Sequence, residues 1–234
     1  MGSGSPNTAV PRRSGKDPGA APAVRRGAAY VAGEVMLTLG LVVLLFGAHE
    51  FLGGWWALDR EQHRLDRQLT RAWAADAKPV PGQPVSRLYI PRLRKKWQVV
   101  EGVSQDDLAR GPGHYPKSDR PGAVGNLAIA GHRLPSVFWN LDRLRPGDLI
   151  VVETRSGWFV YRVLRLRVVR PSQVEVVDHD PDHPGGRPTR RLLTLTTCNP
   201  KFDNYQRLVV QAELSREQAK KTGWPAELGR FRHP

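Results

Sequence analysis

From about Val85 to Leu214 the chain is cut into short runs of strand-forming residues separated by Gly, Pro, Asn and Asp. The clearest runs are Arg87–Ile90, Gln98–Glu101, Asn126–Ala130, Leu149–Thr154, Trp158–Val169, Leu192–Thr197 and Arg207–Leu214. Seven or eight short strands in a stretch of this size leave no room for covering helices. They bury their apolar faces by curling on themselves, which predicts a closed or nearly closed β-barrel and a mainly β fold class. Within the run Tyr161–Val169, Leu164, Leu166 and Val168 alternate with Arg165 and Arg167, the pattern of a strand with one face inside and one in water. Ser104 is placed to cap a short helix beginning at Gln105.

The segments before this region have different compositions. Residues 1–29 are rich in Gly, Pro, Ala and Arg and too poor in large apolar side chains to offset the entropy of ordering, so a disordered tail is expected. Residues 30–56 turn strongly apolar, with Glu34 and His49 near the two ends and Trp55 and Trp56 closing the run. That length and composition suit one retained transmembrane helix, and no small-x-small cleavage site follows it as in a signal peptide. Arg12, Arg13, Lys16, Arg25 and Arg26 precede the span, whereas mixed charges follow it. The positive-inside bias therefore puts the N-terminus in the cytoplasm and residues after 57 outside.

Leu58, Leu65, Leu69 and Trp73 recur at helical spacing and predict a stalk helix acting as a spacer, ended by the Pro-rich linker Lys78–Pro84, so that 57–84 precede a folded domain at 85–214. Residues 215–234 carry no site signature and read as a C-terminal tail.

The formal net charge is +14, which raises nucleic acid and anionic membranes as partners. The basic residues are interleaved with acids, and no nucleic-acid-binding motif is present, so nucleic acid is excluded as a partner. A single cysteine, Cys198, rules out an intramolecular disulfide and a multi-thiolate zinc site.

Cys198 ends the run Leu192–Thr197 just before Asn199-Pro200, where proline stops a ladder. The two-residue period puts it on one face with Thr194 and Thr196, away from Leu193 and Leu195. If the next run pairs antiparallel with this one, Arg207 comes to lie beside Cys198. A guanidinium there lowers a thiol pKa and binds a developing oxyanion. His132 follows the small-residue run Asn126–Gly131 and precedes a loop, where a scaffold places catalytic groups. From composition alone, a buried thiol and an exposed histidine are the better account of the pair. The rival base, His114 in Gly111-Pro112-Gly113-His114-Tyr115-Pro116, reads as a turn residue.

Thr194-Leu195-Thr196-Thr197-Cys198 followed nine residues on by Arg207-Leu208-Val209, with Ala130-Gly131-His132-Arg133 upstream, resembles the sortase signature. The likeness runs from about Leu88 to Leu214 and is nearest to class E sortases of high-GC Gram-positive bacteria. It implies an eight-stranded sortase-type barrel with short helices behind an N-terminal transmembrane helix, and a cysteine transpeptidase acting outside the cell membrane.

By that resemblance Cys198 is the nucleophile, His132 the acid and base, and Arg207 the cationic stabiliser, with Thr196, Thr197, Ala130 and Phe138 binding substrate. The implied substrates are surface proteins bearing a C-terminal sorting signal similar to Leu-Ala-x-Thr-Gly or Leu-Pro-x-Thr-Gly. The implied acceptor is an amine of a peptidoglycan precursor, with hydrolysis as a side reaction and with neither metal nor organic cofactor. The loop Leu134–Asn140 lacks the Tyr that class E members often carry there, and Asn199 stands where His is frequent.

Other readings fit less well. The L,D-transpeptidase pattern wants an Arg where Pro200 stands, and a papain-like site wants its Cys on a helix. A pilus-polymerising sortase and a non-catalytic membrane-tethered binding module are the remaining alternatives.

Overall fold

A computed structural model describes residues 1–2 and 21–231, apart from the side chains at 21–26, 28–29, 48–57 and 230. Most of the expected tail, including Arg12, Arg13 and Lys16, lies outside the described residues, as do the side chains of Arg25, Arg26, His49, Trp55 and Trp56. The chain forms two compact units, 1–52 and 53–234. Helix α1 (Ala21–Ala74) runs through both. In the first unit its stretch Tyr30–Gly47 has a mean hydropathy of 2.0 and is long and apolar enough to cross a membrane.

The second unit is built on eight strands: β1 (Pro84–Ile90), β2 (Lys95–Glu101), β3 (Gly113–His114), β4 (Gly125–Ala130), β5 (Leu149–Glu153), β6 (Gly157–Val169), β7 (Arg191–Asn199) and β8 (Gln206–Ala219). They close in the order β1-β2-β3-β4-β7-β8-β6-β5, with β5 returning to β1. Seven of these strands match the runs read from sequence. The eighth, β3, is two residues long. His114 therefore belongs to the ladder and is not a turn residue: β3 pairs parallel with β2 and antiparallel with β4, partners that no local pattern reveals. Helix α2 (Gln105–Arg110) follows Ser104, whose hydroxyl accepts from the Asp107 amide while the Asp107 carboxylate accepts from the Ser104 amide.

The barrel interior is filled by residues of alternate strand positions, among them Leu88, Ile90, Val99, Leu127, Ile129, Ile150, Val152, Leu193, Leu195 and Val210. The alternation expected in β6 holds only in part. Leu166 packs against this core, but Leu164 is exposed because it is the extra residue where the register against β8 shifts between Val163 and Arg165, and Val168, opposite Leu208, is exposed as well.

Residues 58–74 of α1 lie against the barrel and do not stand free as a spacer. Leu65 and Leu69 are fully buried. The Gln62 side chain accepts from the Gln98 amide at 2.8 Å and donates to the Arg110 carbonyl at 2.7 Å. Asp66 pairs with Arg87 at 2.6 Å, and the Arg87 guanidinium stacks over Trp73. The C-terminal residues also pack: Leu228 is fully buried beside Tyr89 and Trp158, and Phe231 meets Tyr89 edge to face at 5.4 Å.

Candidate active site

The β7–β8 pairing is antiparallel, and its register puts Cys198 directly opposite Arg207. Opposed residues in such a pair project to the same face. The other flank of β7 is parallel β4, with Ala130 opposite Thr196. The Gly131 amide extends that ladder by donating to the Thr196 carbonyl at 3.0 Å. The chain therefore leaves β4 alongside the end of β7, and His132 is delivered to the place where Cys198 stands. Gly131 is required for this path: a Cβ there would sit 2.6 Å from the Phe138 ring.

His132 and Cys198 line one open cavity of about 330 Å³, together with Arg133, Leu134, Phe202, Asp203 and Asn204. Cys198 is half-buried, so its sulfur is neither sealed in the core nor fully in water. No hydrogen bond reaches the His132 ring among the described residues, leaving both ring nitrogens available to a thiol and a substrate. The Arg207 Nη1 donates to the carbonyls of Asn204 and Gln206 at 2.7 and 2.8 Å. These bonds hold the guanidinium at the β7–β8 turn and tie that turn to the strand opposite Cys198.

The other expected site residues fall in different places. Ala130 is buried at the end of β4. The Thr196 hydroxyl lies 3.2 Å from the Tyr115 hydroxyl, on the outer face shared with Thr194. Thr197 faces the opposite way, and its buried hydroxyl has no hydrogen-bond partner among the described residues. Phe138 has no exposed surface and packs edge to face on Trp97 at 5.4 Å. It forms the floor under Gly131 and offers no face to a substrate.

Sequence reasoning passed over Arg133. This side chain is only 8% exposed. Its Nη1 donates to the Cys198 carbonyl at 3.2 Å and to the Asn199 side-chain oxygen at 2.8 Å, and its Nη2 meets Asp142 at 3.3 Å. It thus binds the residue after His132 to the backbone of the nucleophile. Its adjacency to His132 is visible in the sequence, but its partners lie 65 and 66 residues away. Lys201 pairs with the same Asp142 and lies 5.0 Å over Trp139, whose ring meets Phe202 at 5.1 Å. These contacts fasten the β7–β8 turn to the segment after His132 and leave Phe202 95% exposed at the cavity edge.

His114 lies outside this cavity and 2% exposed. Its Nδ1 is 3.1 Å from Glu101, which also takes an Arg120 guanidinium at 2.8 Å. Burial pushes the Glu101 carboxyl up, but His114 and Arg120 outweigh it and hold the group below the usual carboxylate range. Among the described residues no group of three or more His, Cys, Asp or Glu side chains forms a candidate metal site.

Residues 88–215 match the sortase domain family. The chain is 35% identical over 223 residues to sortase SrtE1 of Streptomyces coelicolor, aligning 86% of this chain with 62% of that protein's length. Sortase SrtE2 of the same organism is 31% identical over 217 residues, covering 82% of this chain and 83% of the relative. The crystal structure of sortase E1 from Streptomyces coelicolor with a tripeptide in the active site superposes with a TM-score of 0.59 at 37% identity, spanning 64% of this chain and 99% of that one. SrtF from Corynebacterium diphtheriae gives a TM-score of 0.61 at 30% identity over 64% of this chain and 94% of its own. With the closed barrel and the domain match in agreement, the chain belongs to the sortase family of cysteine transpeptidases.

Proposed function

We propose that the chain is a membrane-anchored transpeptidase in which Cys198, His132 and Arg207 join a C-terminal sorting signal to an amine. The observation that carries this reading is the convergence of β4, β7 and β8 at one barrel end, which puts Cys198 opposite Arg207 and in one cavity with His132. The Cys198 thiolate attacks the Thr carbonyl of a Leu-Ala-x-Thr-Gly or Leu-Pro-x-Thr-Gly-like signal. His132 gives its proton to the departing Gly amine, and a thioester remains on Sγ. An incoming amine, taken from a cell-wall precursor, then loses a proton to His132 as it displaces the thiolate. Arg207 exchanges its carbonyl partners in the β7–β8 turn for the developing oxyanion and substrate backbone. Water in place of the amine gives hydrolysis.

In this reading residues 85–214 are the catalytic domain, the apolar stretch of α1 is a single-pass anchor, and the N-terminus is cytoplasmic. A peptide in the active site of the Streptomyces coelicolor sortase E1 structure supports a peptide substrate here. The test is product analysis of the full chain with Leu-Ala-x-Thr-Gly and Leu-Pro-x-Thr-Gly peptides, with and without a primary amine. A Thr-amine product that disappears in Cys198→Ala is expected. Peptide recovered intact from a folded enzyme would reject the reading.

A further inference from the structure

The barrel end that bears Cys198 also carries a collar of one sign of charge. The first half of β2 runs alongside the segment that follows β4: the Trp97 indole donates to the Ser136 carbonyl at 2.8 Å, four residues past His132. The β1–β2 hairpin that leads into Trp97 contributes Arg92, Arg94, Lys95 and Lys96. The Arg92 guanidinium donates to the Arg143 carbonyl at 3.0 Å, bringing in a second loop with Arg143 and Arg145. Within 91–96 and 143–148 the one carboxylate is Asp148, which Arg92 engages at 3.2 Å, while Asp59 lines a groove with Lys95 and Lys96, and Glu227 lines another with Arg94, so the cations still outnumber the acids around them. Arg94, Lys95, Lys96, Arg143 and Arg145 make no ion pair within 4.0 Å among the described residues.

Such clustering is destabilising by self-repulsion unless an anion answers it. The docked part of α1 places this cluster relative to the apolar stretch. Its first packed residues, Leu58, Asp59 and Arg60, line a groove of about 420 Å³ with Lys95, Lys96 and Trp97. Its later residues Asp66 and Trp73 run to the other end of the barrel at Arg87 and Lys220. Hence the collar lies where the helix first meets the barrel. Ten residues lie between Gly47, at the close of the apolar stretch, and Leu58, a tether of no more than about 40 Å even when fully extended.

We infer that the cationic collar of Arg92, Arg94, Lys95, Lys96, Arg143 and Arg145 binds anionic phospholipid headgroups, holding the Cys198 end of the barrel against the membrane surface. The inference rests on the reading of Tyr30–Gly47 as a membrane anchor. Docked in this way, the cavity opens close to the plane in which lipid-bound substrates and acceptors lie.

The experiment places the full chain in nanodiscs of phosphatidylcholine, alone or with phosphatidylglycerol, and measures lysine acylation by peptide mass spectrometry. Lys95 and Lys96 report on the collar, and Lys117 and Lys221 are exposed references away from it. Phosphatidylglycerol is expected to slow labelling of Lys95 and Lys96 about fivefold relative to the references. Added salt should abolish the difference. The R94Q/R143Q/R145Q variant should lose most of it, since these exposed guanidinium groups make no ion pair within 4.0 Å among the described residues.

Equal labelling ratios in the two bilayers would overturn the inference. Equal protection by inorganic pyrophosphate in neutral discs would overturn it in favour of a soluble anion. Failure of the chain to co-elute with neutral discs would remove the anchor reading and the inference together, an outcome distinct from insertion without differential labelling.

Discussion

At Cys198 the proposed chemistry depends on a single backbone register, in which the residue opposite it on β8 is Arg207 and the residue two beyond the end of β4 is His132. Arg207→Ala is expected to lower kcat/KM for acylation by about 10²–10³, the usual effect of removing an oxyanion donor, with Arg207→Lys recovering only part of it because the planar fork is lost. Steady-state kinetics with a sorting-signal peptide checks this. Arg133→Gln leaves the Cys198 carbonyl and Asp142 short of a charged donor and should cost about 1–3 kcal/mol in urea unfolding, together with a fall in kcat.

The Cys198–Arg207 pairing was legible from the strand period and the proline after Asn199. Arg133 was not, since a side chain that reaches across 65 residues leaves no local trace. Phe138, given a substrate-binding role by the resemblance, is fully buried, and its contact with the backbone at Gly131 is likewise not visible in the local sequence.

The docked part of α1 shows what periodicity conveys about an element and what it leaves out. Leu58, Leu65, Leu69 and Trp73 announced an apolar face, but the sequence did not say that the barrel covers it. Burial of Leu65 and Leu69 makes that segment part of the folded unit. Leu65→Ala and Leu69→Ala should each destabilise by about 2–5 kcal/mol, seen as a lower urea midpoint, and removal of residues before Val85 should cost more than either.

Stability around the same helix is expected to depend on pH through Glu61. The Arg64 guanidinium hydrogen-bonded to Glu61, with Arg110 adding to it against the opposing effect of burial, holds this carboxyl down at about 2. A lowered folded pKa gives stability that is full above the ordinary value of 4.5 and is lost as pH falls toward 2. Melting temperatures recorded across that window should fall less steeply in Glu61→Gln than in the parent chain.

For the whole molecule, closure of the barrel is what brings distant segments to one cavity. β4 and β7 are separated in sequence by β5 and β6 yet run side by side, and β8 flanks β7 on its other edge. The seven longer strands were readable because each alternates or ends at Gly, Pro or Asn. The two-residue β3 was not, because its identity comes from both neighbours.

Whether this assembly makes Cys198 an acyl acceptor is measured directly by the intact mass of the full chain after brief exposure to a Leu-Ala-x-Thr-Gly peptide without added amine. The expected result is an adduct equal to the peptide up to its Thr acyl group, localised to Cys198, discharged by a primary amine and absent from Cys198→Ala. A folded chain that never gains this mass, or gains it equally in Cys198→Ala, would contradict it.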